Sequence, residues 1–282
     1  MTALLEVRKL SRSFGGIRAV DSLSFDAHRD GVTGLIGPNG AGKTTVFNLI
    51  TGVYSPDKST IAADTGAVRL NGEDLVGKRP HEIVRRGVSR TFQNIRLFNR
   101  MTCLENVMTP LLVWGKSWPL AAFLRTGFAR REEILARETA LSILGEMGLT
   151  ETADRVASTL PYGLQRKLEI ARALACMPVG HASESGPRLL LLDEPAAGMN
   201  EAETHELGDT ILKVRKDFDV TILLIEHHIS LVMKICAHIV VMDRGALLAE
   251  GAPQAIRNDE RVVAAYLGRP HTRPMRERRK RV

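Results

Sequence analysis

Gly37-Pro38-Asn39-Gly40-Ala41-Gly42-Lys43-Thr44 is the stretch on which the reading of this chain turns. It fits the phosphate-binding pattern G-x-x-x-x-G-K-[ST]. It also stands where that pattern has physical meaning, between a short apolar strand at 31–36 (GVTGLI) and a helical segment at 45–51 (TVFNLIT) that stops at Gly52. The glycines allow backbone N–H groups to converge on a phosphate, and a helix beginning near Lys43 adds the favourable end of its dipole. Lys43 supplies a point charge for β- and γ-phosphates, and the Thr44 hydroxyl suits Mg²⁺. Thr45, the next residue, is counted with the nucleotide-binding loop.

Two apolar runs downstream give the loop its expected counterparts. Leu189-Leu190-Leu191-Leu192 delivers Asp193 and Glu194 at its C-terminal end, the edge on which parallel sheets bind ligands. Asp193 is expected to hold Mg²⁺ through water, and Glu194 to orient or deprotonate an attacking water. A leucine run ending in acids is, by itself, an ordinary core strand with a solvated end; the upstream phosphate loop changes its meaning. The run at 220–225 ends in Glu226-His227-His228. An imidazole there can reach a γ-phosphate and lock Glu194 and its water in position.

Further outward, Leu4–Val7 and the stretch at 19–25 read as strands, and 67–70 followed by Asn71-Gly72 reads as a strand entering a hairpin turn. From about Asn94 to Cys176 the periodicity is helical, with a Trp- and Pro-containing interruption at 114–119. A polar helix is expected at 201–217, and a closing hairpin around Arg244-Gly245. Segments 58–65 and 179–186 read as loop insertions. Apolar strands alternating with amphipathic helices point to a parallel sheet covered on both faces.

The composition is that of a folded globular chain: 282 residues, 44% hydrophobic and 25% charged, which excludes wholly disordered, collagen-like and coiled-coil classes. Its net charge of +7 is a property of one end. Residues 269–282 hold seven basic residues and Glu277, leaving 32 basic and 31 acidic residues and a net +1 for the rest. The tail is expected to be a solvated extension, with contact to an anionic membrane leaflet as its sharper reading; nucleic acid is not expected as a partner. Cys103, Cys176 and Cys236 have neither disulfide nor zinc spacing. No stretch reaches the roughly 18–20 apolar residues of a spanning helix, and the first residues lack a signal-peptide core.

Taken together, the phosphate loop, Thr91-Phe92-Gln93, the 160–171 segment LPYGLQRKLEIA, LLLLDEP and IEHH occur in the order and spacing of the ATP-binding-cassette (ABC) ATPases, which the chain resembles over residues 4–268. The resemblance implies an α/β fold: a P-loop NTPase (RecA-like) core with a parallel sheet, an antiparallel β subdomain, and a helical subdomain inserted at about 94–176. Residues 1–268 would form the ATPase domain and 269–282 the tail. The resemblance also implies that Phe14 stacks on adenine and that Gln93 is the mobile glutamine, sharing Mg²⁺ with Thr44 and Asp193. It makes Glu194 and His227 catalytic, Leu160–Leu164 a signature loop with Pro161, Tyr162 and Gly163 facing a nucleotide across a dimer, and 197–200 the loop between paired sites. The usual signature is Leu-Ser-Gly-Gly-Gln, so this chain lacks the serine hydroxyl. Asn200 and His228 stand where aspartate is frequent. These departures put equal activity of the two dimer sites in question.

Segments such as 90–106 (RTFQNIRLFNRMTCLEN), DEPAAGMN and 249–268 (AEGAPQAIRNDERVVAAYLG) further resemble the branch serving branched-chain amino acid importers. That resemblance implies ATP and Mg²⁺ as cofactors. As partners it implies a second ATPase subunit, two membrane permeases and, indirectly, a periplasmic binding protein, with the chain peripheral on the inner face of the plasma membrane. Ile95, Leu97, Phe98 and Met101 are expected to form the permease docking site. The solute stays open, since related importers carry amides or aromatic carboxylates. A DNA-associated cassette ATPase is the alternative outside transport, and the coiled coils or zinc modules usual in that class are not visible here.

Overall fold

The computed structural model describes residues 2–29, 31–57, 68–113, 127–177 and 186–267. The insertion at 58–65, nearly all of that at 179–186, the interruption at 114–119 and the tail lie outside them.

The chain opens on two twelve-residue strands, β1 (Ala3–Phe14) and β2 (Ile17–His28), joined at Gly15-Gly16. Both glycines have positive φ, 51° and 86°, as a tight hairpin of this hand requires. β1 runs well past the four residues expected from its pattern. Register shifts interrupt its pairing, and Lys9 sits at φ 45°, so the inside-outside alternation breaks and the sequence signal with it. The short strand β3 (Val32–Ile36) is buried throughout and leads into the helix α1 (Lys43–Ile50). β4 (Val68–Leu70) and β5 (Glu73–Asp74) form the expected hairpin, followed by α2 (Pro80–Val84) and β6 (Val88–Arg90).

Three helices come next, α3 (Cys103–Val113), α4 (Gly127–Glu146) and α5 (Tyr162–Ala175). Strands then alternate with helices: β7 (Leu189–Asp193), α6 (Glu201–Asp217), β8 (Thr221–Ile225), α7 (Ile229–Ile235), β9 (His238–Asp243) and β10 (Ala246–Gly251). Two short helices, α8 (Pro253–Arg257) and α9 (Glu260–Leu267), follow.

Among the described residues there are two sheets. A four-stranded antiparallel sheet has the order β2-β1-β4-β5; a six-stranded sheet has the order β10-β9-β3-β8-β7-β6 and is parallel except for β10. This is the α/β architecture expected, a parallel core with an antiparallel β part and helices inserted between β6 and β7. The uninterrupted apolar runs have a direct cause. Successive strand residues face opposite sides, and here both sides are covered. Leu190, Leu192, Ile222 and Leu224 join a core with α5, α6, α7 and the inserted helices. Leu189, Leu191, Leu223 and Ile225 join another with Phe47 of α1 and the antiparallel sheet. The consequence for function is geometric: β3, β7 and β8 are adjacent and parallel, so the loops that follow them open at one edge.

Candidate active site

The phosphate loop leaves β3 at that edge. Gly37 has φ 154°, and a Cβ there would fall 2.1 Å from the Met242 carbonyl oxygen; at Gly42 (φ 98°) it would fall 2.2 Å from that of Ala19. The loop is thus wedged against the backbone of β9 and β2, and these positions admit no side chain. Gly40 also has positive φ, 79°, but with open space around it. Ala41 is buried, Pro38 half-buried, Asn39 exposed.

Lys43, buried at the first turn of α1, folds its Nζ back to donate to the carbonyls of Gly37 (2.8 Å) and Pro38 (3.1 Å). Burial lowers its pKa, and the charges of Glu194 and Asp193 oppose that shift. Thr44 is exposed and Thr45 half-buried. Tyr266 of α9 reaches the same loop: burial pushes its phenol up to about 12, with a hydrogen bond to the Gly37 backbone opposing.

Asp193, at the end of β7, is buried, and burial raises its pKa. Arg90 of β6 works against that shift, its Nη2 donating to Asp193 Oδ2 at 2.6 Å and its Nη1 to Asn48 Oδ1 at 2.7 Å. The Arg90 guanidinium also lies 5.3 Å from the ring centroids of Phe47 and of Phe92. Arg90 carried no expected role. An arginine near a strand end reads as solvated, and only the pairing of β6 with β7, Arg90 opposite Leu191, turns it inward.

Glu194 has φ 48°, in the left-handed region that costs an ordinary residue of order 1–2 kcal/mol. Its N–H donates to the Ile225 carbonyl (2.9 Å), which ties the turn to β8. The carboxylate is held at both oxygens: Gln93 Nε2 donates to Oε2 at 2.9 Å, and His227 Nε2 lies 2.8 Å from Oε1. His227 is itself placed by Glu226, which is almost completely buried. Glu226 Oε2 accepts the backbone N–H of His227 (2.6 Å) and of His228 (3.1 Å), while its Oε1 accepts that of Ala196 (2.8 Å). Glu226 therefore braces the loop after β7 against the loop after β8. Sequence reasoning passed over it because a glutamate just beyond a strand looks solvated. His228 turns its Nδ1 to Glu226 as well, at 3.1 Å.

The candidate metal-binding donors are the Thr44 hydroxyl, the Gln93 amide and the Asp193 carboxylate. All can offer oxygen, the ligand Mg²⁺ prefers. Among the described residues no group of three or more His, Cys, Asp or Glu could hold a metal by itself. That suits an ion that keeps waters and completes its shell with substrate phosphates. Together with the side-chain-free cradle at Gly37 and Gly42, the residues fit a Mg²⁺-bound nucleoside triphosphate.

A family model described as "ABC transporter" matches residues 20–197, spanning the phosphate loop through Glu194. The chain belongs to the ABC transporter family. A second model, "Branched-chain amino acid ATP-binding cassette transporter", matches residues 246–272. The chain is 47% identical over 265 residues to the high-affinity branched-chain amino acid transport ATP-binding protein BraF of Pseudomonas aeruginosa, covering 94% of this chain and 98% of the relative. It is 43% identical over 265 residues, with the same coverage, to LivG of Escherichia coli, of the same description. A solved nucleotide-free ATP-binding cassette from an ABC transporter superposes with a TM-score of 0.77 at 30% identity, covering 95% of this chain and 100% of that one. The ADP conformation of an ABC cassette gives the same values.

The remaining ABC segments lie around this constellation. Phe14, at the end of β1, is a solvent-facing aromatic: it stands edge-on to Tyr54 with centroids 5.2 Å apart, and the Arg12 guanidinium lies 4.8 Å from its centroid. The segment expected to form the signature loop lies at the start of α5. Pro161 is the N-cap, Tyr162 the first helical residue and Gly163 the second. Of these three, Tyr162 joins the constellation, through Arg166 and Ala197. Asn200 caps α6, its Oδ1 accepting the Glu203 N–H at 2.9 Å while Glu203 Oε2 accepts the Asn200 N–H at 2.9 Å. Asparagine and aspartate serve equally at such a position, so the departure from the usual ABC aspartate leaves the helix start intact. Leu97 is buried within the core, and this corrects its place in the expected docking cluster. Of the four residues named, Phe98 is the exposed one.

Proposed function

We propose that this chain is the ATP-hydrolysing subunit of an importer for branched-chain amino acids. The observation that carries the reading is Glu194, gripped at both oxygens by Gln93 and His227 on the same edge as Lys43. A carboxylate so held is aimed without being neutralised by a cation, as a general base requires. Lys43 and the loop N–H groups bind the phosphates; Thr44, Asp193 and Gln93 hold Mg²⁺, which supplies charge stabilisation to the transferred phosphoryl group. Phe14 offers its face to adenine. His227 gives its Nε2–H to Glu194 and keeps it in place beside the γ-phosphate. Two such subunits, identical or different, close on two ATP molecules, each nucleotide lying between one phosphate loop and the opposite signature loop, whose donors are the Gly163 N–H and the start of α5. The unit comprises residues 1–268, with the helical part at 94–176 as the lever and 269–282 as an appended tail. No helix among the described residues is long and apolar enough to cross a membrane; the chain reaches the inner face of the plasma membrane through its permeases. The high identity to BraF and LivG, and the match of residues 246–272, support the choice of solute class.

The permease contact is assigned to a cleft of about 480 Å³ between α2, the segment after β6, α3 and α5. Its walls include Pro80, Val84, Phe92 and Phe98, with Arg96 and Arg172 among the lining residues. An apolar slot flanked by guanidinium groups suits a short amphipathic helix carrying an acid. Phe98→Asp is expected to abolish co-purification with the permeases while leaving binding of a fluorescent ATP analogue within about twofold; intact co-purification would exclude this docking site.

A further inference from the structure

We propose that the Tyr162 hydroxyl is a tie that makes the loop following Glu194 move with α5 and with the segment after β6 that carries Gln93, so that Tyr162 acts as a positioning residue for hydrolysis. The inference rests on the reading of Glu194 as the base.

Tyr162 and Arg166 are four residues apart on α5 and therefore share a face. Arg166 Nη2 lies 3.1 Å from the tyrosine oxygen, and its guanidinium carbon is 5.5 Å from the ring centroid. The same tyrosine oxygen is 2.8 Å from the Ala197 carbonyl. Guanidinium can only donate and a carbonyl can only accept. The hydroxyl therefore accepts from Arg166 and gives its one proton to Ala197, so the direction of the chain is fixed. Arg166 is almost completely buried, with its remaining Nη donors directed to the Phe92 carbonyl (3.0 Å), the Gln93 carbonyl and Glu169 Oε2 (2.9 Å). From Gln93 the side chain returns to Glu194 Oε2, and the Ala197 N–H donates to the Glu194 carbonyl at 3.1 Å.

The bonds close a ring: Glu194, Ala197, Tyr162, Arg166, Gln93 and back to Glu194. The tyrosine ring also lies on the turn itself, since a Cβ at Gly198 (φ 80°) would meet its Cε1, Cζ and Oη at 3.7 Å. A rotation of α5 thus pulls on both the backbone and the side-chain holders of Glu194. The proline at 161 has no hydroxyl to offer a partner's phosphate, and the hydroxyl one position later is turned to Ala197 in the same subunit.

Tyr162→Phe in the full-length chain removes this hydroxyl and keeps the ring on Gly198. The measurements are Mg²⁺-ATP turnover, affinity for a fluorescent ATP analogue, melting temperature, and amide hydrogen exchange of residues 196–200 with and without ATP. The tie predicts kcat down about tenfold, the loss of one hydrogen bond. KM, affinity and melting temperature stay near wild type, and exchange at 196–200 is faster. Tyr162→Ala, which also removes the ring, is expected to fall at least as far in kcat. Turnover within twofold of wild type with unchanged exchange at 196–200 would overturn the tie, as would a raised KM at unchanged kcat, which would make the hydroxyl a nucleotide-binding group. A wild-type chain without turnover would refute the hydrolysis reading instead; the exchange of 196–200 then decides the tie alone.

Discussion

Glu194→Gln is expected to lower ATP turnover by at least about a hundredfold, the scale of a lost general base, while nucleotide remains bound. The geometry says why the loss should be so selective. Glutamine has the same shape, keeps one oxygen to accept from Gln93, and presents an NH₂ to His227, whose neutral ring can accept by exchanging tautomers. The left-handed turn at residue 194 and its backbone bond to Ile225 involve no carboxylate oxygen. What disappears is basicity alone. The variant is accordingly expected to hold ATP and to lengthen the life of the closed dimer, measured by phosphate release together with ATP-dependent sedimentation. Wild-type rates in Glu194→Gln would remove the base from this position.

The second large effect concerns Arg90. Arg90→Met retains the bulk between Phe47 and Phe92 but leaves the buried Asp193 carboxylate without its cation and Asn48 Oδ1 without its donor. Breaking a buried pair in this way costs about 3–5 kcal/mol, to be read by denaturant unfolding at pH 7. The sign of the pH dependence follows from Asp193. Burial already raises its pKa above 3.8 in the folded protein, and losing Arg90 raises it further. A carboxyl group with a raised folded value destabilises once the pH exceeds its unfolded value and does so fully above its folded one. The deficit of Arg90→Met should therefore shrink as the pH is lowered toward 3.8; a deficit independent of pH would show that Asp193 is not its source.

These two residues also mark how far the chain could be read before its structure. Glu194, Lys43 and the parallel strands were legible because each rests on a local pattern: a glycine loop between strand and helix, apolar runs too continuous for a half-exposed strand, acids and histidines at their ends. The helix at 201–217 was legible as a polar run set between two apolar strands; that Asn200 caps it came only with the structure. Arg90, Glu226 and Arg166 were not. Each is a charged residue whose burial depends on partners brought from elsewhere in the chain: Asp193 for Arg90, Ala196 for Glu226, Phe92 and Gln93 for Arg166. Leu97 shows the converse, an apolar residue in a cluster that resembled a docking surface and is instead core. Periodicity reports that a segment has two faces; it does not report what the fold lays against them. The length of β1 was hidden differently, by register shifts that break the alternation on which a strand is recognised.

If ATP hydrolysis at Glu194 drives import of branched-chain amino acids, one measurement addresses both. In cells lacking this chain, uptake of labelled leucine, isoleucine and valine is followed after restoring either the wild-type protein or Glu194→Gln. Uptake is expected to be lost without the chain, to return with the wild type and not to return with the variant. Uptake that persists without the chain, or that the variant restores, would contradict that link.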